Sequence, residues 1–371
     1  ASYYRDDPNT PPVQLESFPH SIYSNKKEMT LPAHRRLWNG CHRCLRQGGC
    51  SSYAMHKDEG PDGTYYRDDF NDSPWSCVVG TSEENGVWLN LTDQAGLIMS
   101  VLVWILLLYS SITITFLART GGIPSPLAML YCIICSLALA SHAKTTLTDP
   151  GSIPASAVPT ESQRRMEKLS MCSQCQTFKP PFTHHCRICN RCISRMDHHC
   201  PWMNNCIGSG NLKHFILFLI YTWICSAFSL LLLGWNYFFC ASEDCTFRAV
   251  LVQLVRVMTM LSVGAFLFTS SMLMNVCYGL MTGIGTIDRL KKKATNTMHV
   301  SDEEPIPLKD VFGIAGYHTW PVPIDPIFED YDRVMGYSTP QRLLREQMRE
   351  GVSDLDSLPP SVVSHQLYTP V

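Results

Sequence analysis

One short stretch of the chain concentrates residue types that bind metals and act as nucleophiles. Residues 172–206, here called the cysteine-rich loop, read CSQCQTFKPPFTHHCRICNRCISRMDHHCPWMNNC, with seven cysteines and four histidines. Three pairs of cysteines are separated by two residues, at 172/175, 186/189 and 189/192. This spacing lets two thiolates reach one tetrahedral ion from a tight turn. A segment so short and polar cannot build a sufficient apolar core, and zinc would supply the missing folding energy.

The potential ligands outnumber those that two structural zinc ions require. Two sites of three cysteines and one histidine use six cysteines and two histidines, which leaves one cysteine and two histidines of this loop. Alternate residues of an extended segment share a side, so His198 and Cys200 face one way and His199 the other. If His199 binds metal, His198 and Cys200 are free to form a nucleophile pair, in which the imidazole takes the thiol proton.

Asp197 directly precedes this pair. Its carboxylate would hold the imidazole in one tautomer, as the third member of a catalytic triad does. The alternative is that Asp197 only caps a turn. Trp202 follows Cys200 by two residues, and an apolar run starts near His214. The thiol is therefore expected at the membrane surface, the depth that tryptophan prefers, where it would suit an acyl substrate whose tail lies in the bilayer.

Four apolar segments must position this loop. The first, residues 96–118, holds no charge over 23 positions, which is long enough to cross a bilayer as a helix. Three more follow, at about 124–143, 214–239 and 255–281. The second is shorter and starts after Pro-Ser-Pro, so its alternative is a buried hairpin partner of the first. The chain start shows no signal-peptide pattern.

Lysine and arginine counts in the short loops give the orientation. The segments between spans one and two and between spans three and four are poor in these residues, whereas the cysteine-rich loop and the DRLKKK stretch after span four are rich in them. We therefore expect the loop and both termini in the cytosol, where cysteines stay reduced. The basic stretch is expected to rest on anionic lipid. The formal net charge of −2 gives no indication of nucleic-acid binding.

The order C-x2-C-x9-H-C-x2-C-x2-C-x4-D-H-H-C-x5-C fits residues 172–206 at every spacing. In this respect the chain resembles the DHHC-type protein S-acyltransferases, the palmitoyltransferases. Asp149-Pro150-Gly151 after span two and PWMNNCIGSGNLKHF before span three agree with that family. The resemblance covers roughly residues 96–315.

The resemblance implies which residues do what. One zinc would take Cys172, Cys175, His185 and Cys192, and the other Cys186, Cys189, His199 and Cys206. Cys200 would be the acylated nucleophile, with His198 as its base and Asp197 as the orienting group. His184 receives no role.

Two departures from the family concern the C-terminal part. The family's Thr-Thr-x-Glu is replaced by Gly285-Thr286-Ile287-Asp288, so its helix-anchoring role is open to question. Asp310-Val311-Phe312-Gly313 stands for Asn-x-Phe-Gly and is expected to pack under the catalytic loop.

The implied reaction transfers a long-chain acyl group from acyl-CoA such as palmitoyl-CoA, through a thioester on Cys200, to cysteines of membrane-associated proteins. Two structural zinc ions and acyl-CoA are the expected cofactor and co-substrate. Four residues are candidate acyl-CoA contacts. Trp202, Tyr221 and Cys225 would lie along the acyl chain, and Arg195 would attract the CoA phosphates. For Tyr221 and Cys225 the alternative is plain helix packing, and for Arg195 it is a solvated basic loop.

The expected fold class is an all-α polytopic membrane protein with four transmembrane helices and a small zinc-stapled domain between helices two and three. The predicted division is a cytosolic, partly disordered N-terminal region at 1–94, spans one and two at 95–143, the zinc domain at 144–212, spans three and four at 213–282, a C-terminal packing segment at 283–340 and a disordered tail at 341–371. The resemblance implies an endomembrane location, in the Golgi or endoplasmic reticulum.

Two rival functions stay open on the sequence. One is a non-enzymatic zinc module on a membrane anchor that serves as a platform for partners. The other is a membrane-bound nucleic-acid-binding finger, which the charge and the lack of a base-reading helix disfavour. Two further cysteine groups leave alternatives open. Cys41, His42, Cys44 and Cys50 are either a third metal site or a group of acylation targets or free thiols, and Cys240 and Cys245 are either paired or free.

Overall fold

The computed structural model describes residues 78–79, 88–90, 93–154, 157–164, 170–239, 249–295 and 304–339. Several predictions fall outside these ranges and stay predictions. They concern the possible metal site near Cys41, the pairing of Cys240 with Cys245, and the tail at 341–371.

Eight helices and eight short strands form the described part of the chain. The helices are α1 Gln94–Arg119, α2 Ser125–Leu147, α3 Glu161–Arg164, α4 Leu212–Phe239, α5 Ala249–Thr282, α6 Thr286–Thr295, α7 Lys309–Phe312 and α8 Tyr331–Met335. The strands are β1 Val78–Val79, β2 Leu89–Asn90, β3 Ser170–Met171, β4 Phe178–Lys179, β5 His184–Cys186, β6 Arg191–Ile193, β7 His198–Cys200 and β8 Asn205–Ile207.

Four of the helices are long and apolar enough to cross a membrane: α1, α2, α4 and α5. The prediction of four spans is thereby confirmed, including the second, for which a buried hairpin was the alternative. Helix α4 lies between α2 and α5 and is the most buried of the four. Apolar side chains such as Ile112 and Met260 stay exposed on the outer helices, as expected of surfaces that face lipid.

Helix α2 continues to Leu147, four residues past the predicted end of the second span at 143. Asparagines from the far side of the cysteine-rich loop satisfy its last carbonyls. The Asn205 side-chain amide donates to the carbonyl oxygens of Thr145 and Thr148, both at 3.0 Å. Since terminal helix carbonyls lack partners within the helix, these bonds both extend α2 and tie it to the loop.

The cysteine-rich loop folds as three antiparallel hairpins, β3–β4, β5–β6 and β7–β8. The hairpin register places His185 opposite Cys192 and His199 opposite Cys206. Residues on the two strands of a hairpin come closest when they are directly opposite. Pairing therefore brings a histidine and a cysteine together in each of two hairpins.

The loop docks on the segment that follows α2, and glycine permits the close approach. A Cβ atom on Gly208 would lie 2.4 Å from the Pro150 carbonyl oxygen. The Asp149 carboxylate accepts hydrogen bonds from the backbone N–H groups of Gly151 and Ser152, at 2.9 and 2.7 Å. These contacts fix the Asp-Pro-Gly turn against the end of β8.

The C-terminal segment packs against those ends of the spans that are predicted to face the cytosol. Val311 in α7 is buried in the core formed by the long helices. The next residue, Phe312, stacks on Trp320 with ring centroids 5.2 Å apart. Gly313 ends α7 with φ of 81°, a left-handed conformation that glycine adopts without strain. The segment thus returns to the bundle and lies beside the cysteine-rich loop.

Candidate active site and metal clusters

The structure gathers eight of the eleven cysteine and histidine side chains of the loop into two clusters. In the first, the Nδ1 atom of His185 lies 3.7, 3.2 and 4.0 Å from the sulfur atoms of Cys172, Cys175 and Cys192. These four side chains come from β5, β6 and the turn between β3 and β4. They are the four that the family resemblance assigned to one ion.

The second cluster repeats this arrangement. The Nδ1 atom of His199 lies 3.7, 3.4 and 3.5 Å from the sulfur atoms of Cys186, Cys189 and Cys206. In each cluster a tight turn joins the first two cysteines. The residue directly after the second cysteine has positive φ, Gln176 at 54° and Asn190 at 51°. The backbone N–H of the second cysteine points at the sulfur of the first.

The geometry of both clusters fits a tetrahedral ion. Zinc bonds of about 2.3 Å to sulfur and about 2.0 Å to nitrogen separate ligand atoms by roughly 3.5–3.8 Å, and the ligand atoms of each cluster all lie within 4.8 Å of one another. Neighbouring thiols lower the pKa of Cys172 and of Cys186. Three sulfurs so close together cannot all ionise without a cation, so each cluster is suited to bind a metal ion.

Cys200 belongs to neither cluster. It is buried in the apolar core of the helical bundle, the same core that contains Phe215 at the start of α4. Within the cysteine-rich loop it is the one cysteine that the two clusters leave out. The strand β7 thus turns His199 toward metal and Cys200 toward the bundle, in keeping with the alternation of an extended strand.

His198 connects Cys200 to Asp197. Its Nδ1 atom lies 2.7 Å from the Asp197 carboxylate, and the Phe215 ring packs edge-on against the imidazole at 5.6 Å. The other ring nitrogen, Nε2, is buried and forms no hydrogen bond with another described residue. Since Nδ1 is held by the carboxylate, Nε2 is the ring nitrogen available to a thiol.

Electrostatics favour a charged imidazole here. Burial by itself lowers the pKa of His198, but the hydrogen bond to Asp197 and the nearby Cys200 sulfur outweigh burial and raise that pKa from 6.5 to about 9. Burial likewise raises the pKa of Asp197, yet bonds from His198 and Thr286 bring it below 3.8. The arrangement stabilises an imidazolium next to a carboxylate.

The Gly285-Thr286-Ile287-Asp288 segment meets this site in spite of its departure from the family pattern. The backbone N–H of Thr286 donates to Asp197 at 2.6 Å. The Asp288 carboxylate lies 2.8 Å from Nε2 of His184, the histidine to which the sequence gave no role. The start of α6 is therefore anchored to the cysteine-rich loop at two points.

A buried histidine within the second span also contacts the site, and the sequence gave no sign of it. The indole N–H of Trp104 donates to Nδ1 of His142 at 3.1 Å. With Nδ1 accepting, Nε2 carries the proton and donates to the Trp202 carbonyl at 2.9 Å. Only its position inside an apolar run, where a polar side chain requires partners, could have drawn attention to His142.

The four residues predicted to contact acyl-CoA lie in different surroundings. The Trp202 ring packs near Phe268 at 6.1 Å, and Cys225 is buried in the bundle core. The Tyr221 hydroxyl donates to the carbonyl oxygen of Pro321. Arg195 has positive φ of 43° and lies with Asp197 on the wall of a small cavity of about 70 Å³ beside the start of α6. The contact of these four residues with acyl-CoA stays a prediction.

Four membrane-spanning helices with a metal-binding domain between the second and third, and a buried cysteine beside a histidine–aspartate pair, are typical of an integral-membrane acyltransferase. Comparison with known proteins agrees. A family model of DHHC palmitoyltransferases matches residues 165–293.

Over 234 residues the chain is 31% identical to rat palmitoyltransferase ZDHHC3. The matched region covers 59% of this chain and 76% of that relative. Human ZDHHC3 is 32% identical over the same shares. A probable protein S-acyltransferase 15 of Arabidopsis thaliana is 40% identical over 111 residues, 29% of this chain and 44% of that relative. The chain belongs to the DHHC palmitoyltransferase family and is a protein S-palmitoyltransferase.

Proposed function

We propose that Cys200 carries the acyl group between acyl-CoA and the acceptor protein, with His198 as its base and Asp197 as the residue that orients His198. The observation that supports this best is the division of the loop's cysteines. Six lie in the two metal clusters. Cys200 is the one left out. It lies two positions after His198 on the same strand, and the imidazole Nδ1 of His198 is 2.7 Å from the Asp197 carboxylate.

In the first step His198 takes the Cys200 proton, and the thiolate attacks the thioester carbonyl of acyl-CoA. A new carbon–sulfur bond to Cys200 forms, the bond to the CoA sulfur breaks, and CoA leaves as a thiol with the proton that His198 held. Asp197 keeps Nδ1 of His198 occupied, so that Nε2 handles the proton. Low-pKa thiols next to a protonated histidine are the reactive ones in proteins.

In the second step a cysteine of a membrane-associated protein attacks the acyl-enzyme. His198 receives the proton of that cysteine and returns it to the leaving Cys200 sulfur. Each step exchanges one thioester for another, so no other energy source is required. The enzyme contributes proximity at the membrane surface and a positioned base for the thiol, His198.

Two structural zinc ions are proposed for the two clusters. All four ligands of each site are protein side chains, which is typical of closed structural sites and leaves no open position for substrate. The metal's contribution is folding: it holds β5, β6, β7 and β8 in the register that points Cys200 into the bundle.

For the acyl-CoA itself we propose that the chain lies between the spans next to Cys200. Trp202 and Cys225 would contact the chain, Tyr221 would stand near its path, and Arg195 would attract the CoA phosphates. Burial of Cys200 in the apolar core of the helical bundle supports an apolar path that starts at the thiol.

The proposed orientation places the cysteine-rich loop and both termini in the cytosol of an endomembrane, the Golgi or endoplasmic reticulum. The domain boundaries at 94, 143, 212, 282 and 340 are kept as a proposal. The second helix itself continues past 143 to Leu147. The basic residues around the loop and after the fourth span support this orientation.

Labelled palmitoyl-CoA tests the mechanism on the purified protein. We expect a label on the wild type that neutral hydroxylamine removes, no label on Cys200→Ser, and unchanged labelling of Cys277→Ser, an exposed cysteine in α5 outside both clusters. Absence of label on the wild type would support the non-enzymatic platform. Persistent label on Cys200→Ser would assign the nucleophile elsewhere. Zinc analysis is expected to give about two ions per chain.

A further inference from the structure

The histidine of the second metal cluster has a carboxylate partner outside the cysteine-rich loop. Nε2 of His199 lies 2.9 Å from Oδ2 of Asp93, 106 positions earlier in the chain. Both side chains are nearly buried, with 8% and 10% of their surface exposed. Because Nδ1 of His199 faces the three sulfurs, Nε2 carries the proton and donates it to the carboxylate.

Asp93 holds the start of the first span at the same time. Its other oxygen, Oδ1, accepts a hydrogen bond from the backbone N–H of Gly96 at 2.8 Å, so Asp93 is the N-cap of α1. Aspartate is a preferred residue at this position. One carboxylate thus joins a metal-ligating histidine to a membrane-spanning helix.

The residues just before Asp93 contact the same cluster. The Asn90 side-chain amide points at the Cys189 sulfur at 3.5 Å, and the backbone carbonyl oxygen of Asn90 accepts a hydrogen bond from the Asn204 side-chain amide at 2.7 Å. Trp88 is fully buried, and the Arg191 guanidinium lies over its ring at 5.0 Å. The contact of Asp93 is therefore part of a built surface rather than a single chance approach.

We propose that Asp93 is a positioning residue for the second metal site. It fixes the tautomer and ring orientation of His199 and thereby couples the start of the first span to the strand that bears Cys200. The inference rests on the proposed zinc occupancy of that cluster. Outer-sphere carboxylates that hold a ligating histidine contribute about 10- to 100-fold to metal affinity.

Serine at position 93 separates this role from helix capping. Serine is a good N-cap, but its hydroxyl is too short to reach His199. Asp93→Ser therefore keeps the cap and loses the histidine contact. Asp330→Ser is the matched control, because Asp330 caps α8 by accepting a bond from the Arg333 N–H at 2.8 Å and contacts no metal ligand.

The measurement is zinc release from detergent-purified full-length protein to a chromogenic chelator, with alkylation of the freed thiols followed by mass spectrometry. In Asp93→Ser we expect one zinc to leave about 10- to 100-fold faster, with alkylation confined at first to Cys186, Cys189 and Cys206. Retention of the other zinc shows that the chain is folded. The control is expected to release both ions at the wild-type rate.

The outcomes separate the two layers of the proposal. A wild type with fewer than two zinc ions would contradict the occupancy itself. A wild type with two, together with wild-type release in Asp93→Ser, would overturn the role of Asp93 and leave it a helix cap. Equal acceleration of both ions would also overturn it, since the contact is made to one cluster only.

The loop at 314–327 forms a second, apolar surface. It reads IAGYHTWPVPIDPI, with Asp325 as its one formally charged side chain. Exposed fractions are high for large apolar residues, including 80% for Tyr317 and 62% for Ile327. A soluble surface rarely exposes so contiguous an apolar patch.

This apolar loop is fastened to the membrane-spanning helix α4. The ammonium group of Lys213, which is 2% exposed, donates to the carbonyls of Thr319 and Ile324 at 3.1 and 2.9 Å. The Tyr221 hydroxyl donates to the Pro321 carbonyl. Tyr221 lies about 13 Å along the helix from Leu212, at 1.5 Å per residue. The loop therefore extends along the part of α4 that enters the bilayer.

The backbone of the loop is prepared for an apolar environment. Prolines at positions 321, 323 and 326 have no N–H to satisfy. The N–H groups of Thr319, Trp320 and Val322 donate to Gly316, Tyr317 and Thr319, at 3.0, 3.2 and 3.2 Å. Since an unpaired backbone group in lipid costs several kcal/mol, this pairing suits membrane depth.

We propose that the loop at 314–327 lies in the bilayer interface beside α4, with Tyr317 and Ile327 among the acyl chains. Its apolar face continues the lipid-facing surface of the spans, which is the reason to assign lipid as the occupant. Tyrosine and tryptophan prefer this depth.

A photoreactive residue tests the contact in lipid nanodiscs. We expect Tyr317→p-benzoylphenylalanine to form phospholipid adducts at a yield near that of the same replacement at Ile112, which is 68% exposed in the middle of α1. Met171, 40% exposed on β3, is the control outside the membrane. A lipid yield at 317 no higher than at 171 would overturn the proposal, as would adducts mainly to a second copy of the chain.

Discussion

His184 and Asp288 meet across 104 positions of the chain, with Nε2 and Oδ1 2.8 Å apart. The contact closes the cysteine-rich loop against the helix that follows the fourth span. Both side chains are largely covered, at 11% and 20% exposed. Beside it, Thr286 donates its backbone N–H to Asp197, so the same turn of α6 supports both the loop and the candidate site.

A double-mutant cycle on His184 and Asp288 is expected to show coupling. Each alanine substitution should lower the free energy of unfolding. The loss in the double variant should be smaller than the sum of the two single losses by about 0.5–2 kcal/mol. The measurement is thermal unfolding in detergent alongside the rate of palmitate labelling. Asp288→Glu restores the longer acid of the family and should approach the wild type. Strictly additive losses would show that the two side chains do not interact.

The spacing of cysteines and histidines was informative because each ligand lies close in sequence to the others of its cluster. The family was recognised on that basis, and the resemblance in turn implied the two ligand sets. The four spans were predicted from the length of the apolar runs. The spans and the family are confirmed. Partners such as Asp93 and His142 could not be found in this way. Their contacts join residues 106 and 60 positions apart, and no local pattern marks an isolated aspartate before a helix or a single histidine within one.

The boundary of the second span illustrates the same limit. Apolar composition ends near 143, but α2 continues to Leu147 because Asn205 satisfies its last carbonyls. Composition indicates which residues favour lipid. The end of a helix depends instead on which groups form hydrogen bonds with its terminal N–H and carbonyl groups. The roles of Tyr221 and Cys225 stay predictions, since a packed helix and an acyl-chain wall use the same apolar side chains.

Replacing Asp197 with asparagine is expected to change the pH dependence of palmitate labelling. The amide keeps an acceptor for the Thr286 N–H, but it removes the charge that holds the pKa of His198 near 9. Without that charge the pKa of His198 falls, so the limb of the rate profile that reports the titration of His198 should move toward lower pH. At pH 7 the rate should fall about tenfold or more.

The matched comparison for Asp197→Asn is Asp197→Ala, which removes the Thr286 contact as well. If both variants slow labelling by the same factor at every pH, Asp197 acts by anchoring α6 and has no part in orienting His198.

His142 should matter for catalysis although it lies within the second span. It links the Trp104 indole of α1 to the Trp202 carbonyl, two residues after Cys200. His142→Phe keeps a ring beside Phe218 but leaves the Trp202 carbonyl without its donor, which costs about 1–3 kcal/mol when the group stays buried. We expect labelling to slow by about threefold to tenfold, with the two zinc ions retained.

His142→Gln is the matched variant for that position, because its side-chain amide can still donate to the Trp202 carbonyl. It should recover most of the rate lost in His142→Phe. Single-turnover labelling over a range of palmitoyl-CoA concentrations separates a slower acylation step from weaker binding. Because the contact fixes the backbone next to Cys200, the effect is expected in the maximal rate. Equal labelling rates for the His142→Phe variant and the wild type would show that the Trp202 carbonyl does not depend on His142 for its position.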